Sequence, residues 1–203
     1  MKLLLFSDLH ADVAAAKCLV EMAQFADVVV GAGDFGNMRR EVDRTISVLR
    51  AIEKPAVLVA GNNESTEELR DACRDWPIAR VLHGNGVTIQ GVDFFGIGGG
   101  IPVTPFGSWS YDFTEAQAIE LLANAPSGCV LVSHSPPQGC VDVSSRGLRL
   151  GSTAVRETIL RVKPRLVVCG HIHESAGKQA PLDATMVINA GPDGVQWELK
   201  TSR

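Results

Sequence analysis

The sequence predicts an α/β fold with two layers of sheet. Short apolar runs alternate with amphipathic stretches through the first half, at residues 3–6, 28–30 and 56–60. Strand–helix–strand alternation of this kind implies a parallel sheet with right-handed crossovers. In the middle the pattern changes to a hairpin, and further apolar runs come at 130–132, 166–169, 186–189 and 195–199. No internal repeat, low-complexity tract or linker interrupts the 203 residues, so one domain over 1–203 is expected.

Taken in order, the apolar run at 3–6 suits a strand buried on both faces. Asp12 can cap a helix running to about Phe25. Val42, Ile46, Leu49 and Ile52 recur at helical spacing, and Pro55 stops that helix. Ser65 with Glu68 forms a capping box for a helix ending near Pro77. Asn85-Gly86 is a turn signal, and residues 87–99 read as a hairpin with Gly91 near its turn. An irregular, aromatic-rich loop comes next. Thr114 and Gln117 make a second capping box, for a helix to about Asn124. Residues 136–150 form a second long loop. Ser152 caps a helix that ends before Pro164.

Composition narrows the function. Hydrophobic residues make up 45% and charged residues 21%, as in ordinary globular proteins. The net charge of −4 gives no case for nucleic-acid binding. The five cysteines are odd in number, widely spaced and without a CxxC pair, so they read as buried thiols in a reducing compartment. The N-terminal apolar run is too short for a signal peptide, and none approaches a membrane span. A cytoplasmic protein is expected.

The chemistry lies just past the end of each apolar run. Five runs lead to Asp8-Leu9-His10, Gly33-Asp34, Gly61-Asn62-Asn63-Glu64, Ser133-His134 and Gly170-His171-Ile172-His173. Carboxyl ends of parallel strands share one edge, where ligands bind, so these segments should converge. Carboxylates, imidazoles and an amide are nitrogen and oxygen donors for a divalent metal. Asp8-x-His10 and His171-x-His173, in extended backbone, would present both side chains on one face. Each residue alone has a plain reading as a cap, turn or core residue. Jointly, four of the five histidines fall at these ends, and only His83 does not.

The series D-x-H, GD, GN, H and GHxH, in this order from Asp8 to His173, resembles the calcineurin-like metallophosphoesterases. The later Ile188-Asn189-Ala190-Gly191-Pro192 also resembles that superfamily. The resemblance implies a four-layer α/β/β/α sandwich of two mixed sheets with flanking helices. It implies two divalent ions: Asp8, His10, Asp34 and His173 would hold one, and Asp34, Asn62, His134 and His171 the other, with Asp34 bridging. Mn²⁺ is the first expectation, with Zn²⁺, Fe²⁺ or Ni²⁺ as alternatives. It implies hydrolysis of a small phosphoester, a diester first, by a hydroxide bridging the two ions. Such a site stays positive and suits an anionic phosphoryl group even in an acidic protein.

The sequence departs from the family at Asn63. The family has a histidine there, thought to protonate the leaving group and to be oriented by the acid after it. Asparagine cannot deliver a proton at neutral pH, so Asn63 is expected at the catalytic acid's place without its function. His83 precedes a turn and reads as a surface histidine. Phe106, Trp109, Tyr111 and Phe113 fall within eight residues. They stack on substrate, plug the core or form a homodimer contact; the sequence leaves these open. Trp109 and Tyr111, with Arg146 and Arg149 in the second loop, are the candidate substrate-binding residues. A phosphomonoesterase, or a non-catalytic interaction module on the same fold, is the alternative function. An amidohydrolase barrel also uses His-x-His but needs ~250 residues and places the motif on its first strand.

Overall fold

A computed structural model describes residues 1–200. The uninterrupted apolar runs form strands because both of their faces are covered. In the first sheet, β1 (Lys2–Phe6), β2 (Val28–Gly31), β3 (Ala56–Leu58) and β4 (Ala79–Val81) run parallel. At its edge β11 (Val195–Glu198) pairs antiparallel with β1, giving the order β11-β1-β2-β3-β4. The second sheet contains β5 (Asn85–Ile89), β6 (Val92–Ile97), β7 (Val130–Ser133), β8 (Leu166–Cys169), β9 (Gln179–Leu182) and β10 (Thr185–Asn189). Its order is β5-β6-β7-β8-β10-β9, with only the two edge strands antiparallel to their neighbours.

Strand alternation divides the apolar residues among three cores. Leu3, Leu5, Val28, Val30, Val57 and Val59 face the second sheet and pack with Phe94, Val130, Val132, Leu166, Val168 and Ile188. Each such side chain contributes about 1.5–3 kcal/mol by leaving water. Leu4, Phe6, Val29 and Leu58 point the other way, under α1 (Val13–Ala23), α2 (Val42–Leu49) and α3 (Thr66–Ala72). Phe95, Ile97, Leu131 and Val167 lie under α4 (Glu115–Leu122) and α5 (Thr153–Val162). The result is helices, sheet, sheet, helices: the predicted fold class. Among the described residues, no helix is long and apolar enough to cross a membrane.

The caps form where the sequence places them. Asp12 accepts from Ala14 N–H and Ala15 N–H. Both capping boxes close, Ser65 with Glu68 and Thr114 with Gln117. Ser152 accepts from Val155 N–H. The third helix stops at Ala72, earlier than the Pro77 expected, because Trp76 N–H bonds Cys73 O and closes a tight turn there. The expected turn at Asn85-Gly86 is instead the start of β5, paired with Phe95 and Gly96. The hairpin turns at Gln90-Gly91, where φ values of 50° and 79° suit the two-residue connection. The edge strands β4 and β9 add to the strands that the apolar runs predict.

Candidate metal centre

Asp8, His10, Asp34, Asn62, His134, His171 and His173 all lie past carboxyl ends of strands: β1, β2 and β3 in one sheet, β7 and β8 in the other. The two sheets therefore contribute opposite walls of one site. Backbone bonds tie the loops: Asp8 N–H to Gly33 O at 2.9 Å, His10 N–H to Asp34 O at 3.0 Å, Gly170 N–H to His134 O at 3.0 Å. Close approach requires glycine at two positions. At Gly33, φ is +95° and a Cβ would lie 2.6 Å from both Gly61 Cα and His134 Nδ1. At Gly61 a Cβ would overlap the Asp34 carboxylate.

The D-x-H and H-x-H segments are not extended, contrary to the expectation from spacing. Asp8, His10, Asp34 and His171 have φ of 57°, 46°, 58° and 67°. Each is a left-handed kink that turns the chain just past its strand. The kink after Gly170 sends the two histidines apart, His171 inward to Asn62 and His173 outward to His10.

The donors form two groups that meet at one carboxylate. Asp8, His10, Asp34 and His173 each offer a donor atom within 4.8 Å of the others. His10 Nε2 and His173 Nε2 are 2.9 Å apart. In the second group, His134 Nε2 lies 3.3 Å and His171 Nδ1 3.0 Å from Asn62 Oδ1. Asp34 belongs to both: Oδ2 is 3.7 Å from His10 Nε2, and Oδ1 is 3.5 Å from His134 Nε2.

This donor set fits divalent cations. His134 Nδ1 lies 2.7 Å from Ala32 O, an acceptor only, so Nδ1 carries the proton. Nε2 of the neutral ring then presents a lone pair toward Asn62 Oδ1 and the Asp34 carboxyl group. A cation resolves that convergence. Protonation states agree. Burial first, then His134, His173 and His10, hold the His171 imidazole well below its ordinary pKa. Burial also lowers His10, against the opposing charge of Asp8. Neutral imidazoles are the form that ligates. Burial, then Asp8, pushes the Asp34 carboxyl up to about 8, against hydrogen bonds from Asn63. An acid so crowded by another acid invites a positive charge.

Asn63 lies against the Asp34 carboxylate. Its Nδ2–H donates to Asp34 Oδ2 at 2.7 Å and its backbone N–H to Asp34 Oδ1 at 2.8 Å. Its Oδ1 accepts from Met38 N–H at 2.8 Å. Both ends of the amide are engaged inside the protein, and Asn63 grips Asp34. Glu64 joins the same loops, accepting from Asp34, Gly36 and Gly61 N–H at 2.9, 2.9 and 2.7 Å. Burial, then Asp34, raises its carboxyl to about 7.

The candidate substrate residues separate. Phe106 and Trp109 stack at 5.7 Å on the loop's outer part, with Phe106 51% exposed. Tyr111 turns inward: its O–H meets Thr66 Oγ1 at 3.2 Å, and its ring packs on Phe113 and His83. These contacts fasten the loop. His83 is likewise no surface histidine, because its ring is half-buried against those two aromatics and its Nδ1 accepts from Gly98 N–H. Arg149 pairs with the buried Asp142 at 2.8 Å rather than pointing to the donors. Arg146 is exposed in the turn closed by Gly147 N–H on Ser144 O.

Sequence reasoning missed Ser7, whose O–H donates to Asp8 Oδ2 at 2.5 Å while it accepts from Gly191 N–H. It missed Asn189, which donates to Gly170 O and Ile172 O and so pins the His171 turn. The family-like segment at 188–192 was the available signal.

Residues 1–201 match the profile of the calcineurin-like phosphoesterase superfamily domain. An uncharacterized protein of Methanocaldococcus jannaschii is 28% identical over 95% of this chain and 88% of its own length. The human metallophosphoesterase domain-containing protein 1 is 34% identical over 58% of this chain, which is 36% of that protein. Among solved structures, TT1561 of Thermus thermophilus superposes with a TM-score of 0.72 at 18% identity, over 98% of this chain and 99% of that one. A dimetal phosphatase of Danio rerio superposes with a TM-score of 0.59 at 14% identity, over 95% and 88%. At such identities the structural likeness establishes the fold.

Proposed function

The chain belongs to the calcineurin-like phosphoesterase superfamily of metal-dependent phosphoesterases, and from that premise we propose that it is a phosphodiesterase working with two divalent ions, Mn²⁺ foremost. One observation carries the reading: two donor groups share a single carboxylate, with Asp34 Oδ2 toward His10 and Oδ1 toward His134. Asp8, His10, Asp34 and His173 would hold one ion; Asp34, Asn62, His134 and His171 would hold the other. When bound, such ions supply Lewis acidity toward the phosphoryl oxygens and an activated water.

The chain's own residues prepare that chemistry. Ala32 O fixes the His134 tautomer. Asn63 holds both oxygens of Asp34. The seven donors include only two carboxylates, Asp8 and Asp34, so the loaded site attracts a phosphate anion. A diester carries a second organic group. Trp109, stacked on Phe106, directly precedes Ser110, which bonds Asn62, and an aromatic face there suits that group.

Four histidines are taken up by the donor groups, and His83 is packed against Tyr111 and Phe113. No imidazole among the described residues is placed to protonate a departing oxygen. The expected outcome is a steep dependence of kcat on leaving-group pKa, since a general acid contributes ~10²–10⁴ in rate. Rates across aryl and alkyl phosphodiesters, with matched monoesters, test this in the presence of Mn²⁺. Diesters should be hydrolysed with higher kcat/KM than the matched monoesters. A monoester preference, or a flat leaving-group dependence, contradicts the proposal.

A further inference from the structure

We infer that Ser110 and Asp112 are positioning residues for the metal centre, setting which end of the Asn62 amide faces it. The inference rests on reading Asn62 as a ligand. An asparagine can ligate only through Oδ1, yet its two ends are nearly the same shape. Here Asn62 Nδ2–H donates to Ser110 Oγ at 3.1 Å. Ser110 Oγ lies 2.8 Å from Asp112 Oδ1, and Thr104 Oγ1 lies 2.6 Å from Asp112 Oδ2. Ser110 and Thr104 are also 3.0 Å apart.

The polarity of this chain of bonds is set by Asp112. A carboxylate only accepts, so hydroxyl protons point toward it, whether from Ser110 directly or from Ser110 through Thr104. Either way Ser110 turns a lone pair to Asn62. The amide must then place Nδ2 on Ser110 and Oδ1 on His134 and His171. Tyr111 N–H donates to Asn62 O at 2.9 Å and holds the backbone of the same loop. Orientation of ligands by such outer partners is worth about 10–100-fold in metal affinity. The same contacts couple the loop that carries Trp109 to occupation of the site.

The test is calorimetric titration of chelator-stripped protein with Zn²⁺, in wild type, Ser110→Ala, Ser110→Thr, Asp112→Asn and Asn62→Ala. Ser110→Ala should weaken one of the binding events about 10–100-fold, and Asp112→Asn should do likewise because an amide can donate back to Ser110. Ser110→Thr keeps the hydroxyl and should restore affinity. Zn²⁺ should also shift wild-type tryptophan emission, a shift absent in Trp109→Phe and reduced in Ser110→Ala. Weakened binding in Asn62→Ala beside unchanged binding in Ser110→Ala overturns the positioning role alone. Unchanged binding in Asn62→Ala overturns the ligand assignment, and the positioning role with it.

Discussion

Asn63 shows how a neighbour's chemistry can be read in sequence while its own is not. The tandem amides after Gly61 mark a ligand and a substitution for histidine, which short motifs reveal. That the second amide grips Asp34 depends on a contact spanning 29 residues, and no local pattern encodes it. Asn63→Ala removes the side-chain bond and leaves the backbone bond to Asp34. Metal affinity should fall about tenfold, while the leaving-group dependence of kcat stays unchanged. Titration of metal binding with rates on two diesters checks both; a steeper leaving-group slope would show that Asn63 acts on the leaving group.

At the scale of elements, the helices were legible because their signals are local. Asp12, Ser65, Thr114 and Ser152 bond N–H groups within three residues of themselves. The strands beside them were legible as unbroken apolar runs. β4 and β9 were not, because neither has such a run: they read Ala-Arg-Val and Gln-Ala-Pro-Leu. The aromatic loop was only partly legible, since four rings in one loop do not say which turn in. The structure separates Trp109 from Tyr111, and substitutions should reflect the division. Trp109→Ala should raise KM for aryl diesters about threefold to tenfold with little change in kcat, the scale of one aromatic contact. Tyr111→Ala should lower thermal stability by roughly 1–3 kcal/mol through lost packing and the lost bond to Thr66. Steady-state kinetics beside a melting curve distinguish the two, and equal effects on both measures would refute the division.

For the whole molecule, part of the convergence was legible, because parallel topology gathers the ends of β1, β2 and β3 at one edge and those of β7 and β8 at another; the meeting of the two edges comes from the packing of the sheets. The left-handed kinks that aim the ligands were not, since Asp8, His10 and His171 carry no glycine signal for φ above zero. The buried acids bear on stability. Asp34 and Glu64 titrate higher folded than unfolded, near 8 and 7. The stability they contribute is present below the ordinary carboxylate range and lost as pH rises through those values. Metal-free protein should therefore melt lower at about pH 9 than at about pH 5, by at least ~3 °C for a domain of this size. Metal loading should remove that slope by offsetting the two charges; calorimetric scans of both forms check it. The most direct test of the central claim is hydrolysis of bis(p-nitrophenyl) phosphate by chelator-stripped protein titrated with Mn²⁺. No turnover before addition, rising to saturation near two ions per chain, is the predicted result. Turnover that survives stripping, or a metal-loaded protein that hydrolyses no phosphoester, would contradict it.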